Sequence, residues 1–161
     1  GNLLIKQVVE KLERENSSIK TYSTLSPLPD FASWLKAELA NIDFIEGENK
    51  NKISALLDNP VSENLQDPEL KKSLLGACAY YLLKAKSRDK PACPVERFHL
   101  GNGARLHRMH GGADMSVKGR EQSAGIMVNY LYDLAKIEEN HEAFFGQGKI
   151  AASKTISRLL D

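Results

Sequence analysis

Within the first forty residues the hydrophobic period changes twice, from helical to strand-like and back to helical, which confines the chain to folds that mix helices with a sheet. Leu4, Ile5, Val8, Val9 and Leu12 make a helical stripe, with Lys6, Glu10, Lys11 and Glu13 on the opposite side. Only Gly1 and Asn2 stand ahead of that helix. Residues Lys20 to Ser26 are rich in β-branched and aromatic types and stop at Pro27, which predicts a strand ended by a turn. Pro29 and Asp30 then open a second helix with Phe31, Trp34, Leu35 and Leu39 on one face.

The remaining periods extend this order. Glu46 to Lys52 is polar and predicts a loop, whereas Asp67 followed by Pro68 predicts an N-cap and first turn for a helix carrying Leu70, Leu74, Leu75, Cys78, Tyr81 and Leu82. That helix ends in the basic stretch Lys84 to Lys90, and Pro91 and Pro94 mark a linker. Arg97 to Met109 alternates as a strand or hairpin around Gly101-Asn102-Gly103 would. Ala124 to Tyr132 is the next strand, although its period also allows a helix, and Ile150, Ala152, Ile156, Leu159 and Leu160 predict a closing helix. The order gives an α+β or α/β chain with few strands for a complete sheet.

A chain of 161 residues can bury one domain's core without a disulfide or metal, and its 42% apolar and 27% charged residues exclude disorder. The 22 basic and 21 acidic side chains leave a net charge of +1, too little field to hold a nucleic acid by its phosphates. No apolar run reaches the roughly 20 residues of a membrane-spanning helix. Cys78 and Cys93 stand in no Cys-x-x-Cys motif, which fits a reducing, cytoplasmic setting.

Three groups of residues could carry chemistry. Ser26 ends a strand at a Pro-x-Pro turn, where reactive side chains are often presented, but a serine before proline is also an ordinary turn residue. The sequence has no Gly-x-Ser-x-Gly elbow. His99 lies between Phe98 and Leu100; on a strand it would share a face with Arg97 and Gly101, and it reads equally as a structural histidine. His99, His107 and His110 lack the spacing of a ligand motif, so no metal is expected. Tyr130 and Tyr132 share a face if their segment is a strand, and either phenol could reach a polar pocket or rest in the core.

Taken together, Leu25-Ser26-Pro27-Leu28-Pro29 with Phe31 and Trp34, then Pro94-Val95 with Phe98-His99-Leu100 and Asn102-Gly103-Ala104, then Gly125, Met127, Asn129-Tyr130 and Tyr132 resemble successive blocks of the malonyl-CoA decarboxylase C-terminal domain, in the same order. The stretch Ile137 to Ala152 is similar to the tail of bacterial members. The resemblance implies a partial GCN5-type acetyltransferase-like fold of the α+β class, a mixed sheet flanked by helices. It implies Ser26 and His99 as the catalytic pair and Tyr132 as the active-site tyrosine. It also implies that Gly1 and Asn2 end a loop holding the acyl-CoA pyrophosphate at the N-terminus of the first helix, a place suited to that charge. The chain departs from the family at Asp30, commonly Gly there, and at His107 to Gly112, where a Trp-containing block is common; either change could alter packing beside the site.

The function implied is decarboxylation of malonyl-CoA to acetyl-CoA and CO2, with Ser26 polarising the substrate or accepting a proton, His99 donating one, and no cofactor beyond the CoA thioester substrate. Two alternatives stand beside it: an acyl-CoA-dependent acyltransferase on the same fold, and a non-catalytic fragment that needs a partner chain. The expected association is a homo-oligomer or binding of the N-terminal helical domain and early strands that family members carry ahead of this region.

Overall fold

The structure, a computed structural model, describes residues 3–60 and 67–161. Helix α1 (Leu4–Glu15) is followed by strand β1 (Tyr22–Pro27) and helix α2 (Phe31–Glu38), as the changing period predicts. Pro27 lacks the N–H a ladder needs, and its place at the last position of β1 fits that defect. A short 3-10 turn leads to helix α3 (Gly47–Asp58). The loop expected over Glu46 to Lys52 is thus a helix: its first turns are polar because they face solvent, Lys52 pairs with Glu48 at 2.9 Å, and Ile53 and Leu56 are its fully buried residues.

Asp67 caps helix α4 (Pro68–Lys84) by accepting from the Glu69 and Leu70 N–H groups, with Pro68 at the first position as expected. This helix is the centre of the core, where Leu70, Leu74, Ala77, Cys78, Tyr81 and Leu82 are all buried. Tyr81 meets Trp34 and Phe31 of α2 with ring centroids 4.9 and 5.5 Å apart. Strands β2 (Lys86–Ser87) and β3 (Lys90–Pro91) form a small hairpin beyond α4.

Helix α5 (Pro94–Gly101) replaces the strand expected from Arg97 onward. Pro94 occupies its first turn with φ already suited to a helix, and the buried stripe consists of Glu96, His99 and Leu100. Two of those three are polar, so the stripe does not register as a hydrophobic period. His99 therefore shares a helix face with Glu96 and Leu100, and not a strand face with Arg97 and Gly101. The strand begins only after the Asn102-Gly103 turn, as β4 (Arg105–His110).

Helix α6 (Val117–Ser123), strand β5 (Met127–Tyr132) and helix α7 (Ile137–Gln147) follow, then a one-turn helix α8 (Lys154–Ser157) and a 3-10 turn through Leu160. The closing helix is shorter than the period from Ile150 implies, because Ala151 and Ala152 run extended beside β4. The sheet has the order β1-β5-β4, with both pairings antiparallel. A parallel bridge from Leu106 to Ala152 adds the mixed character at the far edge. In the register Ser26 faces Val128 and Thr24 faces Tyr130. His107 is the extra residue of a bulge in β4. Val128, Tyr130 and Tyr132 all point to the buried face of β5, where α5 packs.

Candidate active site

Ser26 reaches the site because β1 turns at Pro27, and that turn is fixed from behind by a residue far along the chain. Ser123, fully buried at the end of α6, accepts from the Leu28 N–H at 3.0 Å and donates to the Leu28 carbonyl at 3.1 Å. The Phe31 N–H also bonds that carbonyl, which closes the turn into α2. Asp30, within this turn, has φ −107°, a conformation open to any residue, so the backbone does not require glycine there.

His99 projects from the last turn of α5 onto the buried face of the sheet, and the C-terminal end of that helix is held by α7. His141 Nδ1 lies 2.7 Å from the Gly101 carbonyl, and the Asn140 side chain donates to the Gly103 carbonyl at 3.1 Å. The result is one line of side chains across β1, α5 and β5. Ser26 Oγ lies 3.1 Å from His99 Nε2, and His99 Nδ1 lies 2.6 Å from the Tyr132 hydroxyl. Ser26 and His99 are each only 7% exposed.

Hydrogen-bond accounting sets the direction of the line. Burial depresses the His99 pKa to about 4, so the ring is neutral and carries one N–H. The Tyr132 hydroxyl has His99 Nδ1 as its hydrogen-bond partner among the described residues, while the Ser26 hydroxyl can donate onward to Thr24 Oγ1 at 3.2 Å. Every donor finds an acceptor when Tyr132 donates to Nδ1, the Nε2–H donates to Ser26 Oγ, and Ser26 donates to Thr24. Burial also raises the Tyr132 phenol, which keeps its proton in place.

Tyr130 does not join this line through its hydroxyl. Its ring stacks on the His99 imidazole with centroids 4.3 Å apart and planes 19° apart, and the hydroxyl is without a partner among the described residues. Glu96, one helical turn before His99, is completely buried with both carboxylate oxygens unpartnered, and burial pushes its carboxyl well above the usual range. A cleft of about 520 Å³ opens on the Tyr132 side, lined by Lys20, Tyr22, His107, Tyr132 and Asp133 among others. Ser26 and His99 do not line it.

The other candidates separate from the line. His110 donates from Nε2 to Asn129 Oδ1 at 2.5 Å, and Asn129 in turn donates to the Thr24 carbonyl, a lateral tie across the three strands. His107 sits half-buried at the β4 bulge. Among the described residues no group of three or more His, Cys, Asp or Glu side chains gathers to hold a metal. Gly1 and Asn2 lie outside the described residues. Sequence reasoning missed Glu96, Thr24 and Ser123. Thr24 was within reach, since the period of two puts it on the Ser26 face; nothing local marks Ser123 as the clamp of a turn 95 residues away.

The malonyl-CoA decarboxylase C-terminal domain is the family whose model matches the chain, over residues 1–161. The mitochondrial malonyl-CoA decarboxylase of Mus musculus is 36% identical over 99% of this chain and 37% of its own length. Among solved structures, malonyl-CoA decarboxylase from Rhodopseudomonas palustris superposes with a TM-score of 0.86 at 45% identity, covering 99% of this chain and 37% of that one. The enzyme from Cupriavidus metallidurans gives 0.85 at 36% identity, covering 99% and 43%. The chain thus spans well under half the length of these relatives. A family match along all 161 residues and a shared fold at these identities place the chain in the malonyl-CoA decarboxylase C-terminal domain family.

Proposed function

We propose that the chain carries the Ser/His site of a malonyl-CoA decarboxylase, a carboxy-lyase that converts malonyl-CoA to acetyl-CoA and CO2 in fatty-acid and malonate metabolism. The observation that supports this most is the buried line from Tyr132 through His99 to Ser26. Breaking the bond between the carboxylate and the methylene carbon releases CO2 and leaves the electron pair on the thioester as an enolate. A catalyst must then stabilise charge on the thioester oxygen and deliver a proton to carbon. The Ser26 hydroxyl polarises the substrate, or accepts a proton from it, and the His99 Nε2–H supplies the proton for the new C–H bond. A thioester enolate is a stronger base than the imidazolate that a neutral His99 becomes on giving up its N–H, so the neutral ring serves as the acid, and the Tyr132 O–H on Nδ1 offsets the negative charge left on the ring. The thioester is the electron sink, and the mechanism assigns no step to a metal or cofactor.

The same proposal makes this chain the C-terminal part of a larger catalytic unit. Three observations favour it. The relatives are longer. Strand β1 is paired along one edge only among the described residues. Helix α1 turns Val9 to the core but leaves Leu4, Val8 and Leu12 largely exposed, an apolar stripe suited to a covering segment or a second copy. In that unit Gly1 and Asn2 help to bind the CoA pyrophosphate, which rests at the N-terminus of α1. A reducing, cytoplasmic compartment suits the two free, buried cysteines, while the mouse and rat relatives are mitochondrial by name.

The test is CO2 release from malonyl-CoA labelled in its free carboxyl, measured for the chain alone and for the chain supplied with the segment that precedes it in the relatives. Little or no release alone and strong release in the second case is the expected outcome. Acyl transfer to an acceptor without CO2 would establish the acyltransferase reading instead. Full turnover by the isolated chain would remove the larger-unit argument.

A further inference from the structure

We propose that Tyr130 is a positioning residue for His99: its ring, and not its hydroxyl, holds the imidazole in the plane that keeps Nε2 on Ser26 and Nδ1 on Tyr132. This deepens the decarboxylase reading and rests on it for the kinetic part of its test.

An imidazole hydrogen-bonded at both nitrogens can still tilt out of the plane of those bonds, and it can flip about Cβ–Cγ, which puts ring carbons where the nitrogens stood. A face-on contact blocks both motions. The Tyr130 ring lies nearly parallel to His99 at 4.3 Å, within the range of an aromatic stack. Tyr130 is itself immobilised: fully buried at the centre of β5, it is held from both sides by Thr24 of β1 and Leu106 of β4 in the sheet register. The ring therefore transmits the rigidity of the sheet's middle strand to a side chain on a helix.

The hydroxyl contributes nothing comparable. It has no partner among the described residues, and the nearby acid, Glu96, has both oxygens unpartnered as well. Burial raises both groups well above their ordinary values and so opposes a charge on either beside His99. The other titratable neighbours of Tyr130 are Cys93 at the N-cap of α5 and Cys78 and Tyr81 on α4, where burial likewise opposes charge. A proton relay through Tyr130 would need a hydrogen bond that the hydroxyl does not make.

The experiment compares Tyr130→Phe with Tyr130→Leu. Nitrogen-15 spectra of the His99 ring, assigned with His99→Asn, read its tautomer in this chain without any need for turnover. In the assembled enzyme, kcat and KM are measured alongside. Tyr130→Phe should keep the single Nε2–H tautomer and a kcat within about twofold of wild type, because the ring is retained. Tyr130→Leu should give a mixture of tautomers and lower kcat about tenfold or more with KM nearly unchanged, since misplaced reacting groups cost rate more than binding. Loss of the single tautomer in Tyr130→Phe, or an unaltered tautomer in a folded Tyr130→Leu, would overturn the proposal. If the assembled enzyme proves not to decarboxylate malonyl-CoA, the spectra still decide the positioning role.

Discussion

His99 and Glu96 sit one turn apart on α5, and burial opposes charge on both, with opposite consequences for stability. Unfolded, the imidazole takes up a proton below about pH 6.5, whereas in the fold it resists protonation down to about 4. The unfolded chain therefore binds more protons between these values. The His99 contribution is complete above about pH 6.5 and is lost as pH falls toward 4, by up to about 3 kcal/mol in all. Denaturant titrations of wild type and His99→Gln across pH 4 to 7 should show a steeper acid loss for wild type, and parallel slopes would contradict it. For Glu96 the folded carboxyl is raised above its ordinary value near 4.5, so its contribution is present at low pH and is lost as pH rises beyond that. Glu96→Gln should accordingly stabilise the chain at pH 7 and give no gain below about pH 4. A variant less stable at pH 7 would mean that the carboxylate has a partner there.

At the scale of elements, the turn from α5 into β4 sets where His99 stands relative to the sheet. Gly103 has φ +81°, and a Cβ placed there would overlap the Ile137 carbonyl oxygen and meet Ile137 Cγ2 at 2.8 Å. Backbone strain and overlap with α7 act together, so Gly103→Ala should cost about 3 kcal/mol by thermal or denaturant unfolding. A loss below about 1 kcal/mol would mean that α7 is free to withdraw.

The same region shows what the sequence could and could not disclose. Helices α2 and α4 were legible because apolar residues carry their buried faces, α1 because of an apolar stripe of which Val9 alone is fully buried among the described residues, and β1 because Pro27 ends it. Helix α5 was not, because two of the three residues of its buried face, Glu96 and His99, are polar, and with Leu100 alone the stripe has no hydrophobic period. Helix α3 was hidden for a related reason, with only Ile53 and Leu56 fully buried behind polar first turns. The candidate site was legible through its motif blocks, which marked Ser26, His99 and Tyr132. The contacts that orient those residues, from Ser123, Thr24 and Tyr130, depend on sheet register and long-range packing that no local pattern encodes.

For the whole molecule, a three-stranded sheet with β5 in the middle brings the N-terminal serine, the helical histidine and the C-terminal tyrosine into one buried line. The described part of the molecule completes that line but leaves one edge of β1 and the outer stripe of α1 uncovered. Both features fit a chain that works within a larger assembly. The measurement that tests the account most directly is single-turnover release of labelled CO2 from malonyl-CoA by the assembled enzyme, with Ser26→Ala and His99→Asn beside wild type and CoA binding measured in parallel. The account predicts a fall in rate of about 100-fold or more for each variant with CoA affinity nearly unchanged. Wild-type release of CO2 by either variant would contradict it.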